Sequence, residues 1–223
     1  MTGFVAGTLV HTERGLVPIQ EIKVGDRVLS RPECGGEDVV TEYKRVTRAF
    51  CSGKDTIVQI PHIRESNPDL INILYMTDHY PVWLENKKEW SAAIDLVTSD
   101  KLALINSDDF SYVWKPSEVF RLRLGENISN YGACNGLGEE FKYGSSVLLF
   151  DGDELSTFNI DDYGYCDQKY VDGFAKSKIL KNNILENKFE RLVIGRFKLP
   201  VYNIEVEDYQ TFFVSKAGLW VHC

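Results

Sequence analysis

A thirteen-residue stretch of this chain occurs twice without a gap. Leu16-Val17-Pro18-Ile19-Gln20-Glu21-Ile22-Lys23-Val24-Gly25-Asp26-Arg27-Val28 aligns with Trp90-Ser91-Ala92-Ala93-Ile94-Asp95-Leu96-Val97-Thr98-Ser99-Asp100-Lys101-Leu102 at a constant offset of 74. The pairs Glu21/Asp95, Ile22/Leu96, Asp26/Asp100, Arg27/Lys101 and Val28/Leu102 keep charge or apolar character in place. Each copy predicts one short helical turn, apolar at both ends, then a polar turn, then a strand. Aspartate suits that polar turn because its carboxylate accepts bonds from main-chain N–H groups left unpaired at a bend. Two copies are too few for a solenoid. They predict one β domain assembled from two related halves.

The rest of the chain agrees with a β reading. Short runs rich in β-branched and aromatic residues predict strands at Phe4 to Val10, Asp26 to Ser30, Val39 to Phe50, Thr56 to Ile60, Leu70 to Tyr75, Val201 to Val206 and Thr211 to Val214. Helical periodicity is weak throughout. Residues 107–188 differ in character: Asp108-Asp109, Asp151-Gly152-Asp153-Glu154 and Asp161-Asp162 alternate with aromatics and the glycines of Gly132 to Gly138. Val119 to Leu124 and Val147 to Phe150 read as strands there, and Val171 to Leu185 as a helix. The organisation expected is an all-β domain of 1–106 and 189–223 carrying an insertion at 107–188.

Composition removes several classes of function. The 33 acidic against 25 basic residues give a net charge of −8, against a broad nucleic-acid surface. No apolar run approaches the ~18 residues of a membrane span, and no signal-peptide pattern opens the sequence, so a cytoplasmic setting is the default expectation. Cys34, Cys51, Cys134, Cys166 and Cys223 are scattered, with no C-x-x-C or H-x-x-x-H spacing. That argues against a zinc site or a disulfide framework, and no metal or other cofactor is expected. The glycines near Gly125 and Gly132 lack the Gly-Lys-Ser/Thr of a phosphate loop.

Three segments together resemble the HINT module, the self-processing fold of inteins and hedgehog C-terminal regions. Gly3-Phe4-Val5-Ala6-Gly7-Thr8-Leu9-Val10 through Gly25-Asp26-Arg27-Val28-Leu29 resembles its opening block. Thr77-Asp78-His79-Tyr80-Pro81-Val82-Trp83 resembles its middle histidine block with one extra residue near Tyr80. Val201-Tyr202-Asn203-Ile204-Glu205-Val206, Thr211-Phe212-Phe213-Val214 and Gly218-Leu219-Trp220-Val221-His222 resemble its closing blocks. The likeness is nearest to bacterial forms in polymorphic secreted toxins and does not cover the insertion. It implies a pseudo-twofold, horseshoe-like β domain that brings both chain ends to one site, working in cis on its own flanking polypeptides.

The resemblance also implies a chemistry. A side-chain nucleophile attacks the carbonyl of its own preceding peptide bond, an imidazole protonates the departing amide nitrogen, and a terminal asparagine then cyclises with help from a penultimate histidine. By that likeness His79 is the first imidazole, Thr77 or Asp78 orients it or the bond, and His222 is the second. Three positions depart from the pattern. Gly3 stands where the family has its nucleophile, with Thr2 one residue out of register. Cys223 stands at the asparagine position or at the residue after it, with no downstream amide in this sequence. Gln210 replaces a further histidine. The expectation is a processing domain inactive as written.

Two other readings compete. One is a divergent metal-dependent endonuclease in the insertion, with Asp151, Asp153, Glu154, Asp161 and Asp162 as ligands. The other is a non-catalytic interaction module presenting Phe110, Tyr112, Trp114, Phe141, Tyr143, Tyr163 and Tyr165 to a partner. A hydrolase of external substrates would draw on Cys51, for which a buried inert thiol is the simpler expectation.

Overall fold

The computed structural model describes residues 2–35, 39–114, 116–122, 131–134, 146–151, 154–159 and 193–223. The chain divides into two compact units, Met1–Pro116 with Leu199–Cys223, and Ser117–Lys198. Among the described residues both are β structure, and the only helical pieces are two single 3-10 turns.

The first unit is built twice over. In its first half Leu9–Thr12 pairs antiparallel with Gly15–Pro18, and the chain then enters the 3-10 turn Ile19–Glu21. In its second half Pro81–Leu84 pairs with Glu89–Ala92 before the 3-10 turn Ala93–Asp95. Main-chain bonds repeat one for one. Ile19 N–H donates to Thr8 O at 2.8 Å, and Ala93 N–H donates to Tyr80 O at 2.9 Å. The Asp26 carboxylate accepts from Lys23 N–H at 3.0 Å, and that of Asp100 accepts from Val97 N–H at 2.9 Å. Each bend also needs one left-handed residue: Gly25 at φ 95° in the first copy and Ser99 at φ 78° in the second. The duplication read from the sequence is therefore a duplication of hydrogen-bonded geometry.

Two further features position the ends of the chain. A long hairpin, Glu42–Arg64 with Asn67–Thr77, delivers Thr77 to the middle of the unit. Phe4–Val5 lies between that hairpin and Lys198–Val206, with Phe4 opposite both Met76 and Tyr202. Leu219–His222 pairs with Thr211–Val214 and, through Val221, with Val82. The apolar faces of all these strands meet in one core that includes Phe4, Val10, Val28, Tyr80, Leu84, Leu102, Phe212 and Val221. Full burial of an aromatic such as Phe4 contributes about 2–3 kcal/mol.

The boundary of this unit differs from the 106 and 189 read from the sequence. Phe110–Val113 pairs with Lys101–Ala103 and with Glu42–Arg64, so Phe110 and Tyr112 belong to the β domain. At the other end Val193–Arg196 pairs with Ser117–Leu122 inside the second unit. In that unit Ser117–Leu122, Tyr131–Cys134, Ser146–Asp151 and Glu154–Asn159 pair in succession as an antiparallel meander. The helix expected at 171–185 lies outside the described residues.

Candidate functional site

Gly3 is buried and held from both sides by Thr77. Its N–H donates to Thr77 Oγ1 at 3.0 Å, and its carbonyl accepts from Thr77 N–H at 3.0 Å. On the opposite side the strand Lys198–Val206 passes so close that a Cβ on residue 3 would lie 2.8 Å from Tyr202 O and 3.1 Å from Val201 Cβ. A side chain at residue 3 would therefore force the facing strand to shift. Thr2 is half-buried, and its carbonyl lies 3.5 Å from the Ser52 hydroxyl, the outer limit of a weak hydrogen bond.

From Thr77 the chain makes the tight turn that the first half makes from Val5. Tyr80 N–H donates to Thr77 O at 3.1 Å, as Thr8 N–H donates to Val5 O at 3.3 Å. The two turns have equal length. His79 sits at the tip of the turn with an exposed side chain, and its ring makes no hydrogen bond among the described residues. Asp78 turns to Thr56, whose hydroxyl donates to Asp78 Oδ2 at 3.0 Å. The side chain that points inward from this turn is Tyr80.

Tyr80 is fully buried, its ring 4.3 Å from that of Phe4. Its hydroxyl donates to Asn203 Oδ1 at 2.9 Å, and the same oxygen accepts from Ile204 N–H at 2.9 Å. Burial, with Cys223 close by, pushes the phenol pKa well above its ordinary value, so Tyr80 is a neutral donor at any physiological pH. Neither Tyr80 nor Asn203 was singled out for the site from sequence. The available signal was the spacing from Thr77, which the equal turns make the same as from Val5 to Thr8.

The other end of the chain enters the same core. Cys223 packs against it, its N–H donates to Gln210 O at 2.7 Å, and burial pushes its thiol up to about 12. His222 stands over the main chain beside it: Nδ1 lies 3.0 Å from the Cys223 main-chain oxygen, and Nε2 lies 2.8 Å from Glu33 Oε2. Both partners are acceptors, so a ring carrying both protons satisfies both at once. Trp90 fixes the assembly from the side. Its ring meets that of His222 edge-on at 5.2 Å, and its indole N–H donates to Glu33 O at 3.2 Å. Gln210 contributes only main chain; its side chain is exposed.

Both chain ends therefore converge on Tyr80, one through Phe4 and one through Cys223. No family model and no curated protein matches this sequence. Solved structures do. A bacterial intein-like domain from Clostridium thermocellum superposes with a TM-score of 0.52 at 17% identity, over 100% of this chain and 99% of that one. A DnaB intein from Synechocystis sp. PCC 6803 gives 0.50 at 11%, over 100% and 99%. The Msm DnaB1 intein splicing domain bound with zinc gives 0.50 at 9%, over 99% of each chain.

The chain has the intein-like HINT fold.

Within this HINT fold the sequence-derived residues divide clearly. Gly3 and Thr77 are joined, as are His222 and Cys223; His79 and Asp78 face elsewhere. Cys51, expected to be buried, is an exposed free thiol. Asp151 and Glu154 are opposite each other at the ends of one hairpin, while Asp153, Asp161 and Asp162 lie outside the described residues, as do Phe141, Tyr143, Tyr163 and Tyr165.

Proposed function

We propose that this chain is a HINT-type autoprocessing domain whose two half-reactions have both lost their attacking atom, while the histidine of the second is retained. In the ancestral sequence of steps a nucleophile at position 3 forms a bond to the Thr2 carbonyl carbon, the bond to the Gly3 nitrogen breaks, and that nitrogen takes a proton. Gly3 offers no nucleophile, and the nearest side chain to its nitrogen, Thr77, accepts a hydrogen bond rather than donating one. At the other end an asparagine amide nitrogen would attack its own carbonyl carbon. Cys223 has no such nitrogen, and its thiol stays protonated. His222 keeps its contact with the main-chain oxygen of residue 223, the place where a polarising imidazole serves cyclisation. Its partners in this reading are its own flanking polypeptides, extein-like or toxin-like, in cis, and the chemistry calls for no cofactor.

The observation that carries the reading is the pair of contacts at position 3: the clamp by Thr77 and the approach of Tyr202 O to the missing Cβ. The experiment is intact-mass analysis of the protein bearing short peptides at both ends, incubated with and without a thiol. The expected result is one uncleaved mass. The same protein with Cys223→Asn is expected to release its C-terminal peptide, and His222→Gln in that background to abolish the release. Thiol-induced cleavage before Gly3, or a folded Cys223→Asn protein that releases nothing, contradicts the proposal.

A further inference from the structure

The long hairpin of the β domain carries an open edge. Asn67–Thr77 pairs along its length with Glu42–Arg64, whereas on its other side the described residues offer only Gly3 and Phe4, beside Thr77 and Met76. The N–H of Thr77 points to that other side, donating to Gly3 O. Successive residues of a strand turn their main-chain groups to opposite sides, so Ile73 and Ile71 present N–H and C=O on the open edge as well. Leu70, Ile71 and Ile73 are 53%, 43% and 40% exposed. Proteins normally keep such a run of apolar side chains off a free edge.

The sequence of that edge selects what fits it. Leu70-Ile71-Asn72-Ile73-Leu74 reads the same in both directions about Asn72. An antiparallel neighbour runs in the opposite direction, so a second copy laid on this edge by a two-fold axis through Asn72 meets its own sequence in register. Ile71 then faces Ile73 of the copy, and each such pair exchanges both main-chain hydrogen bonds. Leu70 faces Leu74 of the copy, and the two Asn72 amides meet on the axis. In the single chain the Asn72 side-chain amide reaches only Leu70 O, at 3.4 Å. No charged residue falls between Asp69 and Asp78 to repel a copy, while Pro68 and Asp69 stand just outside the palindrome and limit the pairing to it. The outward face agrees. Ile71 lies opposite Ile63, which lies opposite Tyr112, and Ile73 lies opposite Pro61. Joining two edges therefore continues one apolar row across both copies.

We propose that two copies of this chain associate through the Asn67–Thr77 edge, antiparallel and centred on Asn72, as a weak two-fold dimer. A pairing confined to residues 70–74 buries less than the ~1,200 Å² of a stable interface, so the association is reversible and depends on concentration. It stops short of Thr77 and owes nothing to the peptide-bond chemistry at Gly3 and Cys223, so its test stands whether or not the chain cleaves.

The experiment is sedimentation velocity of the intact protein from about 10 μM to about 1 mM, with hydrogen exchange of the Ile71 and Ile73 amides followed over the same range. The average mass is expected to rise from that of one chain toward that of two, and both amides to gain at least tenfold protection. Ile71→Lys with Ile73→Lys sets lysine against lysine and is expected to leave a monomer throughout; both positions are exposed, so the circular dichroism spectrum stays unchanged. Ile71→Lys with Ile73→Glu sets opposite charges across the axis and is expected to restore the dimer, which loss of apolar surface alone would not do. A mass that stays at one chain, or one that grows past two, overturns the proposal. So does association undiminished in the double-lysine protein, or a lysine–glutamate protein that stays monomeric. Full protection of Ile71 and Ile73 already at the lowest concentration also overturns it, because the edge is then covered within its own chain.

Discussion

The two ends of this chain reach the same buried tyrosine by opposite means. The Gly3 end is held by main chain: two hydrogen bonds to Thr77, ladder pairing on both sides, and a facing strand in close contact. The His222 end is held by side chains at a partly open edge, with Glu33 and Trp90 around an imidazole. At the end fixed by main chain even a methyl group on residue 3 is costly, because the facing strand must shift to admit it. An end fixed by side chains can gain or lose a reactive group without disturbing the fold.

The contrast can be broken first at Cys223, where the largest effect is expected. The native thiol titrates at about 12 and the unfolded one near 9, so above about pH 9 the unfolded state releases a proton that the native state keeps. Stability is then full below pH 9 and declines as pH rises toward 12, by on the order of 4 kcal/mol from this group. Urea unfolding across that range is expected to show the decline in the native sequence and a much shallower one in Cys223→Ala. Next comes the tight contact. Gly3→Ala forces a methyl against Tyr202 O and is expected to cost about 3 kcal/mol, the upper end for overpacking, seen as a fall in the urea midpoint. Thr77→Val leaves the buried Gly3 N–H without its acceptor, for a loss of about 2 kcal/mol by the same measurement. Glu33→Gln is the smallest. Its carboxylate is 58% exposed, so stability is expected to change by less than about 0.5 kcal/mol, while in the Cys223→Asn background the release rate falls because the His222 ring loses its charged partner.

Much of the fold was legible because its signals are local. The repeated Asp26 and Asp100 announce the same bend, and the alternation of Val28, Leu102 and their neighbours announces the strands that follow. The site was less legible because it depends on one residue of register. His79 is the residue type that the chemistry asks for, yet the turn from Thr77 to Tyr80 has the same length as the turn from Val5 to Thr8, which exposes position 79 and buries position 80. Residue type points to position 79, whereas the backbone turn brings position 80 inside. Glu33 and Asn203 were out of reach for a different reason. Their partners are His222 and Tyr80, 189 and 123 residues away, and nothing local marks either as a partner.

The central claim is that Thr77 and Tyr80, not an imidazole, surround the Gly3 end. It is tested most directly by the cross-peaks of the Gly3 amide proton in an isotope-edited NOE spectrum of the intact protein. The account predicts contacts from Gly3 H–N to the Thr77 side chain and from the Phe4 ring to Tyr80, with none from Gly3 to the His79 ring. A cross-peak between the Gly3 amide and the His79 imidazole would contradict it.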